Sequence, residues 1–327
     1  MNPVAKFLLS IAAMSLCAEH ATAQNAAKDY PNKPVRWIVH NSPGAATDIV
    51  ARLIAGKLTG LLDEPFIIDN REGGGGIIAA TIVANSPPDG YTLLFTNPAP
   101  SISAPLMAKK PPYMVDDFIP IILFGYAPLI IAAHPSFPAR NPKELIAALK
   151  ANPGKYAWGT SGIGSSPHIG LALLQLATGG FDVVHVPYKG TAPALVDLLS
   201  GQIQLIYTSK VSAAGHIKAG RVRVLAAASP KRSQGLPDVP TLAEYGIKDA
   251  DAVTWTGMAA PARTPRAIVD KLNAASKKVL AMPDVRKFLE DDDVIVQGGT
   301  PEEFSEFIKK EAGGIEKLLK TGALTKE

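Results

Sequence analysis

Short apolar segments alternate with amphipathic segments along most of the chain. Several of the apolar segments are continuously hydrophobic and rich in β-branched residues, which is typical of strands buried on both faces. Alternation of such strands with helices predicts parallel βαβ units. The predicted strands cover residues 35–40, 66–69, 92–96, 121–124, 129–133, 156–160, 182–186, 203–208, 222–228, 256–259 and 294–297.

Several predicted helices begin at a polar residue followed by proline, which places an N-cap side chain before a proline at the first helical position. These pairs are Asn141-Pro142, Ser166-Pro167, Thr264-Pro265 and Thr300-Pro301. Glu303 completes a capping box with Thr300, and Gly201 is expected to end a helix over 191–200. A helix over 47–61 has one broad apolar face, formed by Ile49, Val50, Leu53, Ile54, Leu58 and Leu61.

The first residues have the organisation of a secretory signal peptide. Lys6 precedes an apolar run over 7–16, and Ala21-Thr22-Ala23 then matches a signal-peptidase site. The run of about ten residues is shorter than the roughly twenty that span a bilayer. We predict a signal peptide over 1–23 with cleavage after Ala23. The alternative is a buried N-terminal helix.

The only cysteine, Cys17, lies inside this predicted signal peptide. Lipid attachment would need a small residue before it, and Leu16 is large. The processed chain is therefore expected to have no thiol and no disulfide, which suits an oxidising compartment.

Composition and motifs exclude several functions. The chain has 327 residues, with 33 Lys and Arg against 29 Asp and Glu, and its net charge of +4 is scattered rather than clustered. Binding of nucleic acid is not expected from such a distribution. No G-x-S-x-G, H-E-x-x-H or phosphate-binding glycine motif occurs. We expect no catalytic residues, no metal and no cofactor.

Three glycine- and hydroxyl-rich turns each follow a predicted strand and precede a helix. They are residues 40–48 (the first turn), 159–168 (the second turn) and 187–193 (the third turn). Helix N-termini carry unpaired N–H groups and a partial positive charge, and small residues let an anion approach them. Each turn alone is explained by ordinary capping. The first two turns together favour contact with an anionic ligand at the carboxyl ends of the strands.

The chain resembles the Bug-type receptors, the periplasmic substrate-binding proteins of tripartite tricarboxylate transporters. The resemblance covers almost the whole processed chain and rests on segments that occur in order. They are residues 30–36, 43–52, 69–71 with the glycines that follow, 88–94, 162–168, 185–195, 236–241 and 260–265.

The resemblance implies a periplasmic-binding-protein-like Venus-flytrap α/β fold, with two lobes of mainly parallel sheet and a ligand cleft between them. The expected limits are 24–126 for the first part of lobe one, 127–251 for lobe two, and 252–327 for the return to lobe one. No repeat or long linker argues against two lobes. The family's ligand is expected to be held by backbone amides, hydroxyls and ordered waters rather than by an arginine.

Carried over residue by residue, the resemblance predicts a ligand-binding set in both lobes. From lobe one, the set comprises Pro43, Gly44, Ala45, Ala46, Thr47, Asp48, Thr96 and Asn97. From lobe two, it comprises Ser161, Gly162, Gly164, Ser165, Ser166 and Tyr188. His168, just inside a helix start, and Thr208, at the end of a predicted strand, are added to the set for their positions rather than for a match to the family. Asp48 is expected either to orient the first turn or to read a ligand hydroxyl. His168 is expected to contact the ligand or to serve capping and packing.

Departures from the family pattern bear on the ligand. Ala45 stands where a second glycine is usual, and His40-Asn41 where Pro-Phe is common. Thr208-Ser209 replace an Asp-Asn pair that could bind an ammonium group. The resemblance therefore implies a monomeric periplasmic receptor that binds a small carboxylate without an ammonium group, either aromatic or aliphatic, and delivers it to membrane permease subunits. The alternatives are a sensory receptor for a signalling partner, and a periplasmic hydrolase or isomerase that uses His168 beside Ser165.

Overall fold

The chain folds into two α/β lobes that share one long strand. A computed structural model describes residues 28–233, 235–291 and 293–326. The predicted signal peptide, its cleavage site and Cys17 lie outside the described residues. Among the described helices, none combines the length and apolar character needed to cross a bilayer.

Ten strands and ten helices give the two lobes their framework within the described residues. The strands are β1 Val35–Val39, β2 Phe66–Asn70, β3 Thr92–Thr96, β4 Phe118–Ala133, β5 Ala157–Thr160, β6 Val184–Pro187, β7 Leu205–Ser209, β8 Arg223–Ala227, β9 Val253–Pro261 and β10 Ile295–Gly298. The helices are α1 Ala46–Leu62, α2 Ile77–Ala84, α3 Ala104–Met107, α4 Pro142–Ala151, α5 Ser166–Ala177, α6 Thr191–Ser200, α7 Lys210–Lys218, α8 Arg266–Leu280, α9 Pro283–Asp291 and α10 Pro301–Lys320.

The first lobe is built on the strand order β2-β1-β3-β9-β4, with β10 added to β4. Strand β1 lies parallel to β2 and β3, as expected of βαβ units. Strand β9 returns antiparallel to both β3 and β4. Trp37, Phe95 and Phe124 form an aromatic cluster in its core, with ring centroids 5.6–6.0 Å apart.

The second lobe continues the same sheet through β4-β7-β5-β6, with β8 also paired to β4. Strand β5 is parallel to β6 and β7, whereas β4 runs antiparallel to β7 and β8. Trp158 and Tyr207 pack in its core with ring centroids 5.4 Å apart.

Strand β4 passes through both lobes, so the prediction of two separate strands at 121–124 and 129–133 was wrong. Its first part pairs with β9 as far as Pro128, and from Leu129 it pairs with β7. Gly125 is required within the strand because a Cβ there would lie 2.6 Å from Cγ1 of Val294 and 2.7 Å from the carbonyl oxygen of Ile295. Gly125 and Pro128, which the sequence pattern leaves between two predicted strands, therefore lie within one strand. The lobe limits remain a prediction, which the change of partner at Leu129 supports.

Two of the four expected helix caps have the expected geometry. Oδ1 of Asn141 accepts from the N–H of Glu144, and Thr300 forms the full capping box with Glu303. Helix α5 is capped one residue earlier than expected, by Ser165 rather than Ser166. Thr264 does not cap α8, because its hydroxyl donates to the carbonyl of Pro261 at 2.8 Å.

Two further helix predictions concern the end of α6 and the apolar face of α1. Gly201 ends α6 with φ +79°, as expected of a C-terminal glycine. The apolar face of α1 is buried at Ile54 and Leu58, but Ile49 is 45% exposed. Ile49 belongs to the lining of the cleft between the lobes.

Candidate functional site

A cleft of about 820 Å³ lies between the lobes. The N-terminal ends of four helices meet at it: α1 from the first lobe, and α5, α6 and α7 from the second. Each helix N-terminus presents free N–H groups and a partial positive charge. The cleft is therefore suited to an anion even where its walls carry no basic side chain.

The first turn leads into α1 without a side-chain cap. Ala45 is the N-cap residue and offers no hydrogen-bonding side chain, so the N–H groups of the first helical turn are left unpaired by side chains. Gly44 has φ +81°, a conformation that glycine adopts without steric cost. Thr47, just inside the helix, is one of the cleft-lining residues.

Asp48 holds this turn from behind and does not line the cleft. Its Oδ2 accepts from the amide of Gly44 at 2.8 Å and from Nε of Arg52 at 2.9 Å, while Oδ1 accepts from Nδ2 of Asn70 at 2.9 Å. Burial alone would raise the pKa of Asp48, but the hydrogen bonds from these partners outweigh it and lower the pKa. Of the two roles expected for Asp48, the contacts fit orientation of the turn.

Sequence reasoning missed the residues that complete this support. Nδ2 of Asn70 also donates to the carbonyl of Asn41 at 2.8 Å, and Arg52 donates to Oδ1 of Asn70 at 3.0 Å. The i, i+4 spacing of Asp48 and Arg52 on one helix was a signal that could have revealed the pair.

His40 and Asn97 form a second part of the first-lobe wall. Oδ1 of Asn97 accepts from the amide of Ala99 at 3.0 Å, so its Nδ2 faces Nε2 of His40 at 3.0 Å. An amide NH₂ only donates, and Nε2 of His40 is therefore the unprotonated nitrogen. Burial lowers the pKa of His40 to about 4, and a hydrogen bond with the backbone of Phe95 opposes the shift. His40 is a neutral side chain at ordinary pH.

The second turn is held by hydrogen bonds within the turn. Gly162 and Gly164 have φ +124° and +72°. The hydroxyl of Ser165 donates to the carbonyl of Gly162 at 2.6 Å and accepts from the amide of His168 at 3.4 Å. The amide of Gly164 donates to Nδ1 of His168 at 3.1 Å. His168 thus lies behind the turn and shapes it.

A second histidine, His185, packs against His168 behind this turn. The rings of His168 and His185 stack with centroids 4.5 Å apart and an interplanar angle of 7°. Nε2 of His185 lies 2.7 Å from the hydroxyl of Thr160. Burial and the neighbouring ring of His185 lower the pKa of His168 to about 4, so the stacked pair is neutral. A neutral Nδ1 is the form that can accept the Gly164 amide.

The two lobes touch across the cleft at the second turn. A Cβ at Gly164 would lie 3.1 Å from Cβ of Ser103, and a Cβ at Gly75 would lie 3.3 Å from the carbonyl oxygen of Ile163. All four residues of the run 73–76 have positive φ between 57° and 115°. This run, which fitted no nucleotide motif in the sequence, lines the cleft together with Ser103. Sequence reasoning assigned neither to the site.

The third turn and the end of β7 close the second-lobe wall. The hydroxyl of Tyr188 donates to Oδ2 of Asp197 at 2.7 Å. Burial, and to a smaller extent this contact, raises the pKa of Tyr188 to about 12. Tyr188 therefore lines the cleft with its ring rather than offering its hydroxyl. Thr208 is buried at the cleft wall, and Ser209 caps α7 by accepting from the amide of Ser212 at 3.3 Å.

Of the expected site residues, the structure brings nine to the cleft wall. They are Thr47, Asn97, Ser161, Gly162, Gly164, Ser165, Ser166, Tyr188 and Thr208. Pro43, Gly44 and Ala45 form the bend before α1, which starts at the backbone of Ala46. Asp48, Thr96 and His168 lie behind the wall, and the hydroxyl of Thr96 is paired with that of Ser101.

Three buried side-chain oxygens of the cleft-lining residues have no hydrogen-bond partner among the described residues. They are Thr47 Oγ1, Asn41 Oδ1 and Ser103 Oγ. An unpaired buried polar group costs about 1–3 kcal/mol, so native proteins seldom leave several together without a ligand or water. The charged residues of the lining, Glu72 and Lys189, are both exposed. Recognition inside the cleft therefore depends on neutral donors and acceptors.

The two-lobed fold and the cleft between its lobes define a solute-binding protein of the periplasmic-binding-protein type. The family described as tripartite tricarboxylate transporter family receptor matches residues 50–324. The chain belongs to this family.

Relatives and solved structures of the same type cover nearly the whole chain. BugT of Bordetella pertussis is 34% identical over 296 residues, which cover 90% of this chain and 89% of BugT. Rpa4515 of R. palustris, solved with adipate, is 32% identical with a TM-score of 0.85 over 91% of this chain and 99% of that chain. MatC of Rhodopseudomonas palustris, solved with malate, is 32% identical with a TM-score of 0.82 over 89% and 100%.

Proposed function

We propose that this protein is a periplasmic receptor that binds a small carboxylate and delivers it to the membrane subunits of a tripartite transporter. The observation that carries the proposal is the set of three unpaired buried polar atoms, Thr47 Oγ1, Asn41 Oδ1 and Ser103 Oγ, at a cleft where four helix N-termini meet. The adipate and malate seen in two relatives support a carboxylate as the ligand.

The ligand's carboxylate lies against the first and second turns. The hydroxyls of Thr47 and Ser166 and the N–H groups that begin α1 and α5 provide donors from both lobes. Closing the lobes excludes water, which strengthens these hydrogen bonds. The ligand favours the closed arrangement because it contacts both lobes at once. Micromolar affinity, about −8 kcal/mol, is sufficient for capture.

The ligand lacks an ammonium group. Glu72 is the one carboxylate of the described lining and is exposed, while the end of β7 presents Thr208 and Ser209. A buried ammonium group without a carboxylate partner would lose several kcal/mol of solvation. Both aromatic acids and aliphatic mono- or dicarboxylates satisfy this requirement.

The proposed site binds without catalysis. His168 uses Nδ1 to accept the amide of Gly164, and Ser165 donates its hydroxyl to the carbonyl of Gly162. Neither residue is arranged as a nucleophile with its base. We also propose that the signal peptide over 1–23 directs export and is removed.

Isothermal titration calorimetry with the processed chain, residues 24–327, tests the function. Adipate, malate, citrate, benzoate and phthalate form the test panel, and aspartate and glutamate are the matched acids that carry an ammonium group. We expect at least one simple carboxylate to bind with micromolar affinity. Tight binding of the amino acids alone, or no binding by any acid, would refute the proposal. Uptake of the bound acid by cells with and without the gene then tests the transport role.

A further inference from the structure

An ion pair joins the two lobes at the edge of the cleft. Nζ of Lys210 lies 3.3 Å from Oδ2 of Asp293 and donates to the carbonyl of Asp291 at 3.1 Å. Lys210 is the first residue of α7 in the second lobe. Asp291 ends α9, and Asp293 lies in the turn before β10 in the first lobe. Both contacts of the lysine therefore cross from one lobe to the other.

Asp293 has further partners, and they also belong to the second lobe. The hydroxyl of Ser233 donates to Oδ2 of Asp293, and the amide of Gly235 donates to Oδ1 at 3.1 Å. A Cβ at Gly235 would overlap Nζ of Lys210, which shows how closely the segments pack. The carboxylate is thus held by an ammonium group, a hydroxyl and an amide from the opposite lobe.

The Lys210–Asp293 pair is more buried than the other ion pairs of the described residues. The two side chains are 18% and 10% exposed. In each of the other pairs at least one side chain is 40% exposed or more. Exposed pairs contribute little because water and salt screen them, whereas a shielded pair with additional hydrogen bonds interacts more strongly.

The backbone of Asp293 adopts a conformation that is unfavourable for most residues. Its φ is +57°, in the left-handed region where glycine is preferred and aspartate is tolerated. The aspartate side chain compensates for this only through its partners. Since Lys210, Ser233 and Gly235 are all in the second lobe, the compensation requires the lobes to be together.

We propose that Lys210 and Asp293 form a clasp that stabilises the closed arrangement of the lobes. The neighbours of the clasp line the cleft, namely Ser209 and Val211 beside the lysine and Val294 beside the aspartate. Its contacts join residues of opposite lobes, so separation of the lobes at this edge breaks them and they favour closure. Because a ligand binds both lobes at once, the same shift increases ligand affinity. The effect on affinity rests on the proposed carboxylate-binding function, whereas the effect on closure does not.

Distance measurements between spin labels test closure without any ligand. The chain has no cysteine beyond Cys17, so the processed protein accepts labels at two introduced cysteines. Val196→Cys on α6 and Glu316→Cys on α10 place labels at exposed sites of opposite lobes. Lys210→Met and Asp293→Asn should each move the distribution toward longer distances. Lys309→Met, which removes an exposed pair within α10, should leave it unchanged. Unchanged distributions in both clasp variants would overturn the proposal.

Affinity measurements distinguish the clasp from a general effect of charge. Lys210→Met removes a positive charge, and Asp293→Asn removes a negative one. A simple field effect on an anionic ligand would weaken binding in the first variant and strengthen it in the second. The clasp predicts about tenfold weaker ligand binding in both single variants. The double variant should bind the ligand no more weakly than the worse of the two single variants. Opposite signs would refute the clasp.

A third variant separates the carboxylate from the backbone strain. Asp293→Gly removes the side chain and suits φ +57°, so the protein should fold at least as stably as the wild type. It should nevertheless open as Asp293→Asn does, and a wild-type distance distribution in this variant would count against the clasp. If the wild type binds no carboxylate, the proposed function fails while the label distances still decide the clasp.

Discussion

Nδ1 of His168 accepts the amide N–H of Gly164 at 3.1 Å, and this bond connects the first turn of α5 to the loop that lines the cleft. A glycine with φ +72° has no side chain to anchor it, so the position of its peptide depends on this acceptor. Protonation of Nδ1 would turn the acceptor into a donor and break the bond. Residues behind the cleft thus determine which N–H groups point into it.

The first prediction concerns pH. The pKa of His168 is about 4 in the folded protein, against about 6.5 when unfolded, so the unfolded chain binds more protons between these values. The stability associated with neutral His168 is complete above pH 6.5 and is lost as pH falls to 4. Between pH 7.5 and pH 4.5, the unfolding free energy of the wild type should fall further than that of His168→Gln. We expect the difference between the two losses to be on the order of 2 kcal/mol.

Urea denaturation at pH 7.5 and pH 4.5 measures this difference. Equal pH dependence in the wild type and His168→Gln would show that the histidine does not titrate in this way.

The second prediction concerns Gly164. Alanine at this position needs a positive φ and places its Cβ 3.1 Å from Cβ of Ser103 in the other lobe. We expect Gly164→Ala to weaken ligand binding at least tenfold, and Gly164→Val to abolish it, while the protein remains folded. Gly220→Ala is the matched control, because φ is +65° there and the space is open.

Calorimetry measures the ligand affinity of these glycine variants, and thermal unfolding measures their stability. Both alanine variants carry a comparable backbone cost of about 1 kcal/mol, and the Gly164 variant alone should lose affinity. Wild-type affinity in Gly164→Val would remove the second turn from the binding site.

The third prediction concerns the buried hydroxyl of Thr47. Valine keeps the shape of threonine and removes an oxygen that has no partner among the described residues. We expect Thr47→Val to leave the ligand-free protein as stable as the wild type or slightly more stable, and to weaken ligand binding about tenfold.

Thr81 provides the control for this substitution. Its hydroxyl is likewise buried without a partner, but it lies in α2, away from the cleft lining. Thr81→Val should match Thr47→Val in thermal stability and bind like the wild type. Equal affinity in the two variants would mean that Thr47 does not contact the ligand.

The fourth prediction concerns Asp48, which acts through the first turn. Asp48→Ala releases the Gly44 amide, Arg52 and Asn70 together. We expect about tenfold weaker ligand binding even though the carboxylate itself does not line the cleft. Amide hydrogen exchange at Gly44 should become faster in the ligand-free protein, which a purely electrostatic role would not cause.

Asp270→Ala is the comparison, because Asp270 pairs with Arg266 at the same i, i+4 spacing and both of these side chains are more than half exposed. That variant should retain wild-type affinity, and its stability should change by less than about 0.5 kcal/mol. Unchanged exchange and affinity in Asp48→Ala would contradict the orienting role.

Local patterns in the sequence predicted much of the fold. β3 has the expected limits, most other strands agree within one or two residues, and the caps at Asn141 and Thr300 are confirmed. These features depend on neighbouring residues in the chain. The continuity of β4 was not predictable in the same way, because only the packing of Val294 against Gly125 shows why the glycine belongs inside a strand.

The site was predicted less completely, for the same reason. Glycines and hydroxyls at helix starts pointed to the first and second turns, but the sequence does not show which of them face the cleft. Ser103 comes to the cleft through a π-helical turn over Ala99–Ser103, for which the sequence has no simple periodic signal. The partners Lys210 and Asp293 are brought together only by the approach of two lobes.

Strand β4 also constrains how the molecule can move. Its sixteen residues run from one lobe into the other, and the first part of the strand is hydrogen-bonded to β9. Separation of the lobes therefore has to bend or twist a paired ribbon instead of rotating about a loose linker. Such a ribbon resists deformation, so the pairing of β4 with β9 limits the amplitude of opening.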